Sequence, residues 1–223
     1  MTLQNFVRAR ESMVVSQLQP SGVVAEAVME AYRTTPRENY VPEAIRGVCY
    51  LDDDVALEGG RFLMEPVIHA KMLQDAALTK EDKVLDIGGA TGYAAAILAK
   101  LAGRVIALDP SDLMLERAQK QWRAEGLGNI TAVVGAPTDG YAKEGPYRII
   151  VMNGAVEQVP EALVRNQLAP EGKLYCVVQP DPESVGVITV VHKTAQDVWG
   201  TRVLGNATTR YVPGFEPVTK FTL

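Results

Sequence analysis

After Leu78 the chain settles into a rhythm that few folds can accommodate. Short, continuously apolar runs alternate with helix-length stretches. The runs predict strands over Val84–Ile87, Val105–Leu108, Ile130–Val134, Arg148–Met152 and Leu174–Val178. Helices are predicted over Ala94–Ala102, Ser111–Glu125 and Pro160–Gln167. Strands with no alternation between a wet and a dry face are buried on both sides, as in a parallel sheet. Strand, helix, strand in succession then gives an α/β fold with a doubly wound, mostly parallel sheet. The end of the chain breaks the rhythm. "VGVITVVHKT" and "DVWGTRVLGNA" have only a short turn near Ala195–Asp197 between them, so they form an antiparallel hairpin on the sheet edge.

Ahead of this core the first fifty residues read as helical. "QPSG" (19–22) is a turn, and Ser21 is placed to cap a second helix over Val23–Tyr32. "TTPRENYVP" breaks helix at Pro36 and Pro42. "LDDDVALEGG" reads as a loop whose acids Asp52–Asp54 are solvated, and Pro66 opens another amphipathic segment. With 223 residues, 47% of them hydrophobic, one domain with a sizeable core is expected: a helical N-terminal extension over 1–78 packed on an α/β core over 79–223.

The net charge of −5 comes without basic clusters. That argues against nucleic acid as an obligate partner and against an anionic membrane surface. No run approaches the ~18 apolar residues of a membrane helix. The opening "MTLQNFVRARESMVV" carries Arg8, Arg10 and Glu11 where a signal peptide needs an apolar centre, so a cytoplasmic protein is expected. Cys49 and Cys176 are read as buried thiols, and His69 and His192 as structural or surface imidazoles. No CxxC or HxxxH spacing offers a metal site.

The chemistry-bearing stretch is "VLDIGGATGY", Val84–Tyr93. A buried strand runs into Gly88–Gly92, and a helix starts at once. Glycine permits positive φ and lets backbone approach a ligand, while a helix start presents free N–H groups. Asp109 ends the next strand, where an acid accepts both hydroxyls of a ribose. A dinucleotide loop needs GxGxxG, but Ala90 and Tyr93 stand at its second and third glycines. The looser acid-x-G-x-G-x-G of S-adenosylmethionine methyltransferases matches better, with Asp86 as the acid and Ala90 at the middle glycine.

Four segments carry a family resemblance. "MVVSQLQPSGVVAEAVMEAY", then "PRENYVPE" with "YLDDDVALEGG", then "EPVIHAKMLQDAAL" leading into "KVLDIGGATGY", and finally "GPYRIIVMNGAVEQVPEALVRNQLAPEGKLYCVV". In order and spacing they resemble the protein-L-isoaspartate O-methyltransferases. The resemblance implies a Rossmann-like methyltransferase fold. It also implies methyl transfer from S-adenosylmethionine to the free carboxylate of an isoaspartyl residue in a damaged protein or peptide. Cofactor contacts are then expected from Asp86, Gly88, Gly89, Ala90, Gly92, Asp109 and Pro110, with Gly135 and Ala136 at the adenine. Phe62, Leu63 and Met64 would line the substrate side, and Met64 and Asn153 would border the reacting groups. Such chemistry needs no histidine or cysteine, because a carboxylate is already ionised at neutral pH.

The chain departs from the family at four places. A Gln-Thr-Ile-Ser-type segment is replaced by Arg61-Phe62-Leu63-Met64, so the serine hydroxyl is absent. Ala90 stands at the middle glycine of the loop. Gly-Asp-Gly after the third strand is Gly135-Ala136-Pro137, with Asp139 able to replace the acid only if the loop folds back. Arg148 inverts a charge at the start of the fourth strand, where it either faces the site or reaches solvent. Asn153-Gly154 either orients a substrate or forms a turn. The departures leave two further readings open. Within the methyltransferase reading the acceptor is either the isoaspartyl carboxylate or a changed one; the first further reading is a catalytically inactive or repurposed methyltransferase fold that binds a protein or another small molecule. The other, disfavoured by the broken GxGxxG, is a nicotinamide-dependent oxidoreductase.

Overall fold

The computed structural model describes residues 3–218. Residues 1–2 and 219–223, the two ends of the expected domain, lie outside the described residues. Helices α1 (Leu3–Met13) and α2 (Glu26–Thr34) come first, then two short strands, β1 (Val55–Ala56) and β2 (Phe62–Leu63), and helix α3 (Pro66–Ala76). The α/β part follows as β3 (Lys83–Ile87), α4 (Tyr93–Leu101), β4 (Arg104–Asp109), α5 (Asp112–Ala124), β5 (Ile130–Val134), β6 (Tyr147–Val156), α6 (Glu161–Gln167) and β7 (Leu168–Val178). The hairpin β8 (Val187–Ala195) and β9 (Val198–Asn206) closes the series.

The large sheet has the order β5-β4-β3-β6-β7-β8-β9. Strands β3 to β7 pair in parallel, and β8 and β9 extend the sheet antiparallel at one edge. This is the doubly wound sheet and terminal hairpin that the apolar rhythm predicts. Both faces are covered. Val84, Ile149 and Val151 pack into one core layer with α2, α3 and α4. Leu85, Ile87, Ile150 and Met152 point the other way, into a second layer with α6. Every position of these strands is therefore apolar or specially paired, and no hydrophobic alternation survives. The strand order reverses between β3 and β6, so the crevice for a ligand lies at their carboxyl ends.

Local reading of the N-terminal segment was less accurate. Helix α2 starts at Glu26, not Val23, and Ser21 does not cap it. No side chain caps it; Gln74 of α3 instead holds the segment just ahead of it, its side-chain oxygen accepting from the amides of Val24 at 2.6 Å and Ala25 at 2.9 Å. Ser21 instead bonds back to the preceding turn. The loop "LDDDVALEGG" contains β1, which pairs with β2. Asp52 and Asp53 are exposed, but Asp54 is not simply solvated. Its carboxylate accepts from the Glu65 amide at 2.9 Å, the Thr209 hydroxyl at 2.7 Å and the Arg210 amide at 3.1 Å. Arg148 reaches away from the carboxyl ends of the strands, with its Nε 3.6 Å from Asp82.

Helix α5 fixes the glycine loop from outside. Ser111 caps it by accepting from the Met114 amide, and Met114, Leu115, Ala118 and Trp122 form its buried stripe. The Trp122 indole donates to the Gly92 carbonyl at 2.9 Å. Gly92 has φ of 85°, and a Cβ there would lie 2.5 Å from Trp122 and 2.7 Å from Ala118. Gly92→Ala is therefore expected to destabilise the fold by about 2–4 kcal/mol, from left-handed strain and overpacking together. Urea unfolding checks this; a change below about 0.5 kcal/mol would contradict the packing described.

Candidate active site

The glycine loop leaves β3 and turns over the carboxyl end of β4. Gly88, Ala90 and Gly92 all have positive φ, at 76°, 50° and 85°. The Gly88 amide donates to the Leu108 carbonyl at 2.8 Å, and the Gly92 amide to the Gly89 carbonyl at 2.9 Å. Ala90 thus adopts a left-handed conformation that favours glycine, at a cost of roughly 1–2 kcal/mol. Its amide donates to Asp109 Oδ2 at 2.9 Å, which holds the strained residue in place. A Cβ on Gly89 would lie 2.7 Å from Asp86 Oδ2, so only glycine lets the loop lie this close to β3.

Asp109 sits where a ribose-binding acid is expected, at the end of β4 and 1% exposed. Burial pushes its carboxyl up, against the opposing pull of Arg61 and the Ser111 and Ala90 amides. Oδ1 accepts from the Ser111 amide at 3.0 Å. Oδ2 accepts from Ala90 and from Arg61 Nη2, and the same Nη2 donates to the Gly88 carbonyl at 3.0 Å. Arg61 comes from the residue before β2 and is buried. Its Nε and Nη1 have no partner. Sequence reading put Asp109 at the end of the strand after the loop, where the structure has it, but gave Arg61 no role. The available signal was an arginine in place of the family's glutamine.

The crevice has two other walls. The segment 210–215 crosses the end of β6: the Ala155 amide donates to Arg210, the Val212 amide to Ala155, and the Glu157 amide to Phe215. Val212 thereby comes within 3.1 Å of where a Cβ on Gly88 would be, and Phe62 within 2.9 Å of one on Gly154. Beyond them lies a small, partly open cavity with room for about one water, lined by Phe62, Leu63, Met64, His69, Gly89, Tyr93 and Asn153 among others. The substrate-side trio and Asn153, more than sixty residues apart in sequence, do meet here. Arg37 sets the backbone of this wall. It is buried, donates to the carbonyls of Cys49 at 2.7 Å and Met64 at 3.1 Å, and stacks 4.8 Å from the Tyr93 ring.

Met64 contributes an apolar wall. Asn153 lies within β6 and not in a turn, and its amide donates to Asp86 Oδ1 at 2.6 Å and the Ile87 carbonyl at 3.0 Å. Its amide nitrogen is therefore committed to holding Asp86. His69 is structural: its Nδ1 is 2.8 Å from the Tyr32 hydroxyl, and burial beside Arg37 pushes its pKa down to about 3. At the adenine end, Gly135 is half-buried, and its amide donates to the Asp109 carbonyl at 3.2 Å. Pro110, Ala136 and Asp139 are exposed, and the Asp139 carboxylate contacts Thr138 rather than folding back. Cys49 and Cys176 are buried and free. Among the described residues no cluster of histidine, cysteine and acids is placed to hold a metal, and no helix is long and apolar enough to cross a membrane.

The loop fits S-adenosylmethionine in its backbone geometry, in Asp109, and in the buried Asp86 Oδ2, which has no partner. Burial is the main cause that pushes the Asp86 pKa up to about 7; Asn153 opposes it and Asp109 adds to it. The folded state then holds a proton that the unfolded chain has released above pH ~4. Stability is full below that pH, falls as pH rises toward 7, and stays reduced above it. Asp86→Asn cannot titrate, so the loss of melting temperature between pH 5 and pH 8 should shrink. Glu65, also raised to about 7 by burial and by Asp52–Asp54, keeps part of it. An unchanged pH profile in thermal melts would contradict this.

The comparisons agree with the geometry. The family model "Protein-L-isoaspartate(D-aspartate) O-methyltransferase (PCMT)" matches residues 9–217. A protein-L-isoaspartate O-methyltransferase of Protochlamydia amoebophila is 35% identical over 183 residues, covering 82% of this chain and 87% of that protein. Protein-L-isoaspartate O-methyltransferase 1 of Rhodopseudomonas palustris is 32% identical over 209 residues, covering 94% and 84%. In fold, the chain is similar to a putative protein-L-isoaspartate O-methyltransferase of Plasmodium falciparum solved with S-adenosyl-L-homocysteine. The TM-score is 0.75 at 19% identity, covering 91% of this chain and 97% of that one. The chain belongs to the protein-L-isoaspartate(D-aspartate) O-methyltransferase family.

Proposed function

We propose that this chain binds S-adenosylmethionine in the crevice between β3, β4 and β6 and methylates the free carboxylate of isoaspartyl residues in proteins or peptides. The observation that carries this reading is the loop: Gly88, Ala90 and Gly92 keep positive φ together, and the Ala90 amide is aimed at Asp109. The loop keeps its turn although alanine stands at its middle glycine position. Asp109 would take the ribose hydroxyls, and the Gly88–Gly92 backbone would lie along the cofactor. Gly135 and Ala136 would border the adenine. A net charge of −5 and the lack of basic clusters support an action without nucleic acid.

S-adenosylmethionine supplies an electrophilic methyl group on a sulfonium. The acceptor carboxylate is ionised at neutral pH, so no side chain has to remove a proton. The protein's tasks are positioning and exclusion of water. Phe62, Leu63, Met64 and Tyr93 make the wall apolar. Arg37 holds the backbone of Leu63 and Met64 rigid through their carbonyls. Asn153 holds Asp86 against β3.

A methyl-transfer assay on an isoaspartyl peptide and its aspartyl twin tests this. The isoaspartyl peptide should be the substrate and the twin should not. Met64→Ser should raise turnover about tenfold, the worth of a hydrogen bond to a charged group at that position. Binding of S-adenosylmethionine with methylation of neither peptide would overturn the acceptor assignment, and no binding would overturn the cofactor assignment.

A further inference from the structure

Among the described residues, Arg61 is the only side chain with two buried polar atoms that have no partner, Nε and Nη1. A guanidinium carries five N–H bonds. The Nη2 pair goes to Asp109 and the Gly88 carbonyl. Three donors, one on Nε and two on Nη1, are left over in a side chain 8% exposed. Such a group is built to meet another acceptor.

Asp109 has the opposite problem. A carboxylate offers about four acceptor positions. The Ala90 amide, the Ser111 amide and Arg61 already take three. The two hydroxyls of a ribose need two, so one present donor has to leave. Two of the three are backbone amides fixed by the loop and by the start of α5. Arg61 is the one that can move.

We propose that Arg61 is a specificity-determining residue that couples the two ligands of this site. It holds Asp109 until ribose hydroxyls displace it, and its freed donors then hold the carboxylate of the isoaspartyl acceptor. The inference rests on the methyltransferase reading above. Arg61 directly precedes Phe62 and lies three residues before Met64, and both of those residues line the transfer cavity. It supplies there the polar contact that Met64 does not. The same residue thus opposes the first ligand and favours the second, and the acceptor binds only after the cofactor.

Calorimetry on Arg61→Gln tests this with two titrations: S-adenosylhomocysteine into the free protein, and the isoaspartyl peptide into the protein saturated with it. The expected shifts have opposite signs. Arg61→Gln should bind S-adenosylhomocysteine about tenfold tighter, and its loaded form should bind the peptide about tenfold weaker, within the usual range of coupling between sites. Arg61→Lys should shift both in the same directions by less, and it carries the comparison if the glutamine variant melts below the assay temperature. A fall in both affinities would make Arg61 merely structural and overturn the proposal. So would a fall in S-adenosylhomocysteine affinity alone, which would put Arg61 on the cofactor's own carboxylate. If parent and variant bind both ligands alike, the proposal fails while the methyltransferase reading stands. If the parent binds no S-adenosylhomocysteine, both fail.

Discussion

A carboxylate buried at the end of a parallel strand has to be supplied with donors, and the site is organised around meeting that demand at Asp109. Each donor imposes a constraint. The Ala90 amide reaches Asp109 only because the loop turns through positive φ at Gly88, Ala90 and Gly92. That turn is held by Trp122 against Gly92, which in turn requires α5 to start where Ser111 caps it. The Ser111 amide supplies Oδ1 in the same stroke. Arg61 completes the set and brings β2, with the substrate-side trio behind it, down onto the loop. Asp109, the loop and the Phe62–Met64 wall are thus parts of one hydrogen-bonded assembly.

The N-terminal helices and the segment 210–215 make this assembly enclosed. Arg37 ties Cys49, Leu63 and Met64 together through their carbonyls and packs on Tyr93 at the start of α4. Tyr32 and Tyr40 each pack in a T-shaped contact with the Tyr93 ring. From the other side Val212 and Phe62 close on Gly88 and Gly154. An acceptor for methyl transfer benefits from such walls, since they keep water from the reacting groups and strengthen each electrostatic contact inside.

The parts legible in the sequence were those set by local pattern. Strands β3, β4, β6 and the end of β7 announced themselves because burial on both faces leaves a continuous apolar run. The glycine loop and Asp109 were placed by spacing from those strands. What could not be read depends on partners distant in the chain. The entry to α2 is held by Gln74, about fifty residues away, and not by a cap at Ser21. Asp54 seemed one of three solvated acids, yet it receives donors from Thr209 and Arg210. Asn153-Gly154 has the composition of a turn but lies in β6, because Asp86 and Ile87 on the neighbouring strand bind its amide. Arg61 stood out as a replaced glutamine, but only the fold brings it to Asp109. The parts of the candidate site that a motif describes were visible, and the contacts that decide what the site prefers were not.

The central claim is that Asp109 is shared between Arg61 and a ribose. A crystal structure of this chain with S-adenosylhomocysteine tests it most directly. The ribose hydroxyls should lie on Asp109 within about 2.7–3.0 Å, the Ala90 and Ser111 amides should remain in place, and Arg61 should have left the carboxylate and turned toward the Phe62–Met64 wall. An Arg61–Asp109 pair that stays intact, with the ligand bound elsewhere or the ribose held by other groups, would contradict it.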